Sequence, residues 1–207
     1  MKSLTTDETN AYAARSLISR TLIYVTAKNR STGAPVEFGF WNGIYDSTIE
    51  VIDGLTQDTE SRSFVSKGAV LTVGDISLSD SLNVGSVQVT LSQLNATVES
   101  AIRTYDTRNA PIQIYRGLFS IASPATLIAP ARCRFVGYIN TAPISTPPAG
   151  GQASVTLNCV SAVRELTRSN KELRSDEGQQ RRHSGDRFFK YVAATGQVQV
   201  FWGQNKA

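Results

Sequence analysis

Two alternating apolar runs face each other across a strong turn signal, and this pattern constrains the fold more than any other feature. Cys133, Phe135, Gly137 and Ile139 share one parity, and Val155, Leu157 and Cys159 share another. Between them, Pro147-Pro148-Ala149-Gly150-Gly151 is a run that reverses a chain. Side chains alternate across a strand with period two, so the runs predict two half-buried strands of one long hairpin. Pairing about Ala149 puts Cys159 opposite roughly position 138 and Cys133 opposite roughly position 164. At about 3.3 Å per residue the thiols then lie too far apart to bridge. Both are expected as reduced core cysteines.

The rest of the chain extends the β pattern. Thr21–Ala27 and Val36–Trp41, joined through Asn29-Arg30-Ser31-Thr32-Gly33, predict a first hairpin. Val87, Val89 and Leu91 alternate with Ser86, Gln88 and Thr90, and Ile112–Gly117 reads as a further strand. Residues 42–68, rich in Asp, Ser, Thr and Gly, read as a loop-bearing excursion with one weak strand at Ile49–Ile52. Two helices interrupt the strands. Thr5-Thr6-Asp7-Glu8 has capping-box spacing, and Ala11, Ala14, Leu17 and Ile18 extend that helix to about Arg20. Leu94, Val98, Ala101, Ile102 and Tyr105 form an apolar stripe on a second helix. The expected fold class is mainly β, a sandwich or barrel with one packed α-helix and a short N-terminal helix.

Few residues carry recognisable chemistry. His183 is the only histidine, in a polar stretch next to Ser184, whose side chain diverges from it. The carboxylates Asp46, Glu50 and Asp53 could hold a cation, although a solvated acidic loop is the simpler reading. Neither a Walker loop, an HExxH nor a GxSxG pattern occurs. No catalytic, cofactor or metal residue is therefore assigned, and the chain is expected not to be an enzyme. No apolar run reaches the roughly 18 residues that span a bilayer. The start, Met1-Lys2-Ser3-Leu4, has no apolar signal core, so synthesis in the cytoplasm is expected.

Charge is unevenly placed along the 207 residues. Up to Val163 there are 12 basic and 12 acidic residues, whereas Arg164 onward holds 9 basic and 5 acidic ones, giving the net +4. The last forty residues also break the β pattern: a polar stretch is followed by Phe188-Phe189-Lys190-Tyr191 and later by Phe201-Trp202. Arginines beside aromatics suit protein interfaces, and also suit contact with nucleic acid.

This segment resembles a known family. Arg174-Ser175-Asp176-Glu177-Gly178-Gln179-Gln180-Arg181-Arg182-His183-Ser184-Gly185-Asp186-Arg187-Phe188-Phe189-Lys190-Tyr191, closing on Phe201-Trp202-Gly203, resembles the end of minor tail proteins of tailed bacteriophages and prophages of Gram-negative bacteria. Such proteins show Gln-Gln-Arg-Arg, an aromatic, Pro-Gly-Asp, an aromatic pair and a closing Trp-Gly. Here His183 replaces the aromatic and Ser184 the proline, which puts the local turn in doubt. More loosely, Phe40-Trp41-Asn42-Gly43 looks like the family's early aromatic-Gly turn, and residues 87–117 look like the strand-helix-strand unit of tail-tube-like domains.

The resemblance implies a structural protein of the tail tip or baseplate, a distal-tail or hub-like ring subunit between tail tube and host-contacting tip. It implies a homo-oligomeric ring, hexamer or trimer, with tube, tape-measure, hub and central tip proteins as partners. Phage DNA would pass through the lumen, and the protein would reside in the virion without membrane insertion. On that basis the chain divides into an N-terminal helix (1–20), a tail-tube-like β domain (21–168, helix about 94–105) and a docking arm (169–207). The arm residues expected at the subunit contact are Arg174, Gln179, Gln180, Arg181, Arg182, Asp186, Arg187, Phe188, Phe189, Tyr191, Phe201 and Trp202. Alternatives are a cell-envelope-degrading tail-tip hydrolase using His183, and a DNA-contacting lumen protein.

Overall fold

The structure, a computed structural model, describes residues 4–66, 70–76, 84–92, 96–148, 151, 153–167, 174–197 and 203. In chain order it contains α1 (Thr6–Ala14), β1 (Leu17–Asn29), β2 (Pro35–Trp41), β3 (Ser47–Ile52), β4 (Thr59–Phe64), β5 (Val70–Val73) and β6 (Ser86–Ser92). There follow α2 (Ala96–Thr104), β7 (Tyr105–Asp106), β8 (Pro111–Ser120), β9 (Leu127–Thr141), β10 (Ile144–Ser145) and β11 (Ser154–Ser161). The short helices α3 (Arg164–Thr167), α4 (Asp176–Arg182) and α5 (Val192–Thr195) complete the order. The chain divides into two compact units, Met1–Leu166 and Thr167–Ala207.

The first unit is mainly β. Its central strands are apolar on both faces. Ile23 and Val25 of β1, with Ile112 and Ile114 of β8, enter one core. Leu22 and Tyr24 of β1, with Tyr115 and Phe119 of β8, enter a second core on the opposite face. A strand buried on both sides reads as a continuous apolar run, as Leu22-Ile23-Tyr24-Val25 does.

The sheet runs β2-β1-β8-β9-β11-β6-β5 and forks at β9. Towards its end β9 pairs with β11 from Gly137 to Thr141, whereas earlier, at Ala131 and Arg132, it pairs in parallel with β3. β3 pairs with β4, and Val65 just after β4 meets Phe40 of β2 in a parallel bridge. The N–H of Trp41 donates to the Val65 carbonyl (3.1 Å), and the N–H of Val65 donates to the Gly39 carbonyl (2.8 Å). The strands β2-β1-β8-β9-β3-β4 thus close into a ring around the second core, where Trp41, Val51, Phe64 and Tyr115 are almost wholly buried. The other branch curls β11, β6 and β5 round the first core, with Val98 and Ala101 of α2 packed into it.

Several expectations need correction. In place of the loop with a weak strand expected over 42–68, residues 47–64 form the β3–β4 hairpin, which covers the second core with Ile49, Val51 and Phe64, and residues 67 and 68 lie outside the described residues. The alternation of polar residues there marks the outer face of a barrel wall. Cys133 does not share a core with Phe135, because the β8–β9 register shifts between Ile114 and Tyr115. The extra residue, Arg134, turns Cys133 towards the second core and leaves it half-buried. Cys159 is buried opposite Ile139, one place from the expected partner, and burial pushes its thiol up to about 12. Tyr105 leaves the second helix to begin β7, and Leu94 lies outside the described residues.

The first helix also stops earlier than expected. Its capping box is present, with the Thr5 hydroxyl accepting from the Glu8 N–H and the Glu8 carboxylate accepting from the Thr5 N–H. Arg15 then takes a left-handed conformation (φ 53°), and Leu17 and Ile18 pair with Ser120 and Phe119 of β8 instead of continuing the helix. An isolated nine-residue helix is marginal, so a long sheet partner wins the next residues. What anchors α1 is a charge. Glu8 is buried, and Arg132 of β9 donates to both its carboxylate oxygens, at 2.7 and 2.6 Å. The Arg132 guanidinium holds the Glu8 carboxyl below the usual range.

The ring closes where Gly39 allows it. A Cβ at Gly39 would stand 2.1 Å from the Ser63 carbonyl oxygen, a backbone atom that cannot swing away. Gly39→Ala is expected to lower the unfolding free energy by about 2 kcal/mol, the scale of overpacking in a tight core. Urea unfolding monitored by tryptophan fluorescence measures this, because Trp41 sits beside the seam.

Candidate functional site

The second unit starts from α4. Ser175 caps it, its hydroxyl accepting from the Gly178 N–H at 3.1 Å. Asp176 and Glu177 occupy the first turn, and Arg181 and Arg182 the last, as the helix dipole favours. Gln180 then donates to Asp176 Oδ2 (2.6 Å), to which Arg187 also donates (3.2 Å). Gln179 donates across the following turn to Asp186 Oδ2 (2.7 Å), while Asp186 Oδ1 accepts from the Phe188 N–H (3.0 Å). Gly185 adopts φ +88°, a conformation in which a side chain would be strained. The turn in doubt from sequence, Ser184-Gly185-Asp186, is therefore held by Gly185 and Asp186 without the proline. The amide of Gln179, first, and the Phe188 N–H hold the Asp186 carboxyl below its usual range.

These bonds divide the expected contact residues by role. Gln179, Gln180, Asp186 and Arg187 spend polar groups within the unit. Arg174 and Arg181 are exposed, as is Arg182. Phe188 packs edge-on against Phe189 with ring centroids 5.0 Å apart, yet remains 80% exposed. Tyr191, 69% exposed, carries the Lys190 ammonium over its ring at 5.2 Å. Phe201 and Trp202 lie outside the described residues. The motif residues thus build a scaffold, and the scaffold presents Phe188 and Tyr191 outward. His183 is exposed, and its N–H donates to the Gln179 carbonyl at the end of α4.

A second polar constellation, in the first unit, was not legible as such. Asp53, grouped by sequence with a solvated acidic loop, is 5% exposed. Its Oδ1 accepts from the N–H groups of Leu55 and Thr56, and its Oδ2 from Arg62 (2.6 Å) and Gln113 (2.9 Å). Gln113 Oε1 in turn accepts from the Gly54 N–H and from the Tyr115 hydroxyl, and Arg62 also donates to Tyr115. The Arg62 guanidinium lies 4.3 Å from the centre of the Tyr24 ring. Burial alone would raise the Asp53 carboxyl; the Thr56 and Leu55 N–H groups, Gln113 and Arg62 outweigh it and hold the group at about 2. Its companions diverge: the Asp46 side chain accepts from the Ser66 N–H, and Glu50 is exposed. Among the described residues no three His, Cys, Asp or Glu side chains cluster as a metal site. The Asp53 network has its donors and acceptors matched, and it fixes the β3–β4 turn to the end of the ring.

No family model matches the chain, and no curated protein matches it. Among solved structures it is similar to a chain of the virion of a native gene transfer agent particle, at 15% identity and a TM-score of 0.45. The likeness covers 78% of this chain and 45% of that one, so the chain spans less than half the length of its structural neighbour.

Asp186→Ala is expected to accelerate amide exchange at Phe188 and across 183–189, leaving β1 and β8 unchanged in hydrogen-exchange mass spectrometry. Asp53→Asn leaves Arg62 with a buried charge half-compensated and is expected to cost about 3 kcal/mol at pH 7. A carboxyl depressed in the folded state stabilises above its unfolded value of 3.8, and that stability is lost as pH falls towards about 2. The gap between wild type and Asp53→Asn in urea midpoint should therefore narrow below pH 4 and close near pH 2.

Proposed function

We propose that the protein is a structural subunit of a phage-type tail tip, a distal-tail or hub-like ring component between the tail tube and the host-contacting proteins, and not an enzyme. The observation that carries this reading is the C-terminal unit. A segment whose sequence resembles the end of minor tail proteins spends its polar residues on ordering the turn that leads into Phe188, and Phe188 and Tyr191 stand in solvent. Exposed aromatics on a pre-ordered scaffold, flanked by arginines, have the composition and rigidity of a protein-interface hot spot. Rigidity matters because a contact already ordered loses little conformational entropy on docking.

The β unit suits the same role. A ring of strands closed on itself gives a stiff body, and the second branch ends on β5, a short edge strand. A ring subunit needs both a rigid body and a segment that reaches a neighbour.

Deletion of Lys171–Ala207 is expected to leave the β unit folded, with unchanged far-ultraviolet dichroism and a cooperative melt, and to abolish incorporation into particles. Complementation of a particle lacking the wild-type gene reads this directly. Truncated protein found in infectious particles by electron microscopy would sink the reading.

A further inference from the structure

The first unit carries an acidic pole whose tip resembles the aromatic platform in construction. Residues 42–66 contain five carboxylates, Asp46, Glu50, Asp53, Asp58 and Glu60, against one base, Arg62. The remainder of the chain up to Val163 has 11 basic and 7 acidic residues, so negative charge concentrates on the β3–β4 hairpin. Arg62 binds Asp53 and Glu60, while Glu50 and Asp58 are exposed. At the tip Leu55 is 71% exposed, and it is not on a loose loop: its N–H is held by Asp53 at 2.7 Å, within the network anchored on Arg62 and Gln113. On the C-terminal unit Asp186 holds the N–H of the exposed Phe188 in the same way. In both places an aspartate orders a turn so that an apolar side chain stands in water.

We propose that the C-terminal unit of one copy docks on the β3–β4 hairpin of a second copy, Phe188 and Tyr191 meeting Leu55 while Arg174 and Arg181 face Glu50 and Asp58. The inference deepens the ring-subunit reading and rests on it. Three observations favour a second copy over an unrelated partner. The basic surplus of the chain lies after Arg164, and its acidic surplus lies at 42–66, so one copy carries both complementary surfaces. Each unit carries an apolar side chain on an ordered turn together with exposed charges, basic at Arg174 and Arg181 and acidic at Glu50 and Asp58, a combination in which attraction steers encounter and desolvated apolar contact holds. And because the two surfaces differ, the contact is head-to-tail, the kind that generates closed rings when the rotation closes.

A charge-exchange experiment on the full-length chain tests this. Sedimentation velocity of wild type at low ionic strength should show concentration-dependent self-association that weakens as salt is raised. Arg174→Glu with Arg181→Glu should leave monomer, and so should Glu50→Lys with Asp58→Lys. Mixing these two double variants should restore association, since the reversed arm of one matches the reversed hairpin of the other. Leu55→Asp should abolish it without lowering the melting temperature. A wild type that stays monomeric up to its solubility limit, or a mixture of the reversed variants that stays monomeric, overturns the proposal. The ring-subunit reading has its own readout: if both double variants still enter particles while deletion of Lys171–Ala207 prevents entry, the arm acts on another partner and only the copy-to-copy contact fails.

Discussion

The two hydrogen bonds between Val65 and the edge of β2 decide the architecture of the first unit. Without them the β3–β4 hairpin would be a flap, paired with β9 at Ala131 and Arg132 and tied to β8 by the Asp53 network alone. With them it becomes a wall of a closed ring, and Tyr24, Trp41, Phe64, Tyr115 and Phe119 acquire an interior. The closure demands an approach of backbone to backbone that only Gly39 tolerates, since a Cβ there would collide with the Ser63 carbonyl. Trp41, next but one along β2, makes a similar demand on Gly43, whose place leaves no room for a Cβ under the indole. That indole donates to the Tyr45 carbonyl, and Asn42 accepts from the Thr21 N–H. The Phe40-Trp41-Asn42-Gly43 sequence is therefore the corner at which strand, turn and hairpin meet.

Among the described residues charge is used twice in the interior, each time to attach something that apolar packing alone would hold weakly. Glu8 carries α1 onto Arg132, and Asp53 with Arg62 ties the β3–β4 turn to Gln113 and Tyr115 on β8. Both pairs are hydrogen-bonded beyond the ion contact itself, the condition under which a desolvated pair is tolerated. The Asp53 network also explains how Leu55 comes to stand in water on a rigid turn. Stability of the barrel end and presentation of an exposed apolar tip are thus two results of one carboxylate.

The C-terminal unit applies the same logic on a smaller scale. A seven-residue helix does not hold itself in water. Ser175 at its start, the Gln180–Asp176 bond along it and the Gln179–Asp186 bond beyond it supply what its length lacks. Gln179, Gln180, Asp186 and Arg187 thus bond within the unit, while Phe188 and Tyr191 stay exposed.

Period-two alternation in residues 87–91, 112–117, 133–139 and 155–159, with the turn at Pro147–Gly151, was enough to establish a mainly β protein and the pairing of its last long hairpin. It worked for 87–91 and 155–159 because those strands face one core and alternation records a single face; β8 and β9 serve both cores, so alternation recorded their faces only in part. The capping box at Thr5 and Glu8 was legible because it is a contact within one turn. Tertiary structure decided the rest. The helix end at Ala14 depends on a strand about a hundred residues away, the displacement of Cys133 on a bulge, and the β3–β4 wall on a seam at Gly39. Asp53 shows the limit most plainly. Its neighbours Asp46 and Glu50 look identical to it in sequence, and only the approach of Arg62 and Gln113 turns one of the three carboxylates into the anchor of a barrel end.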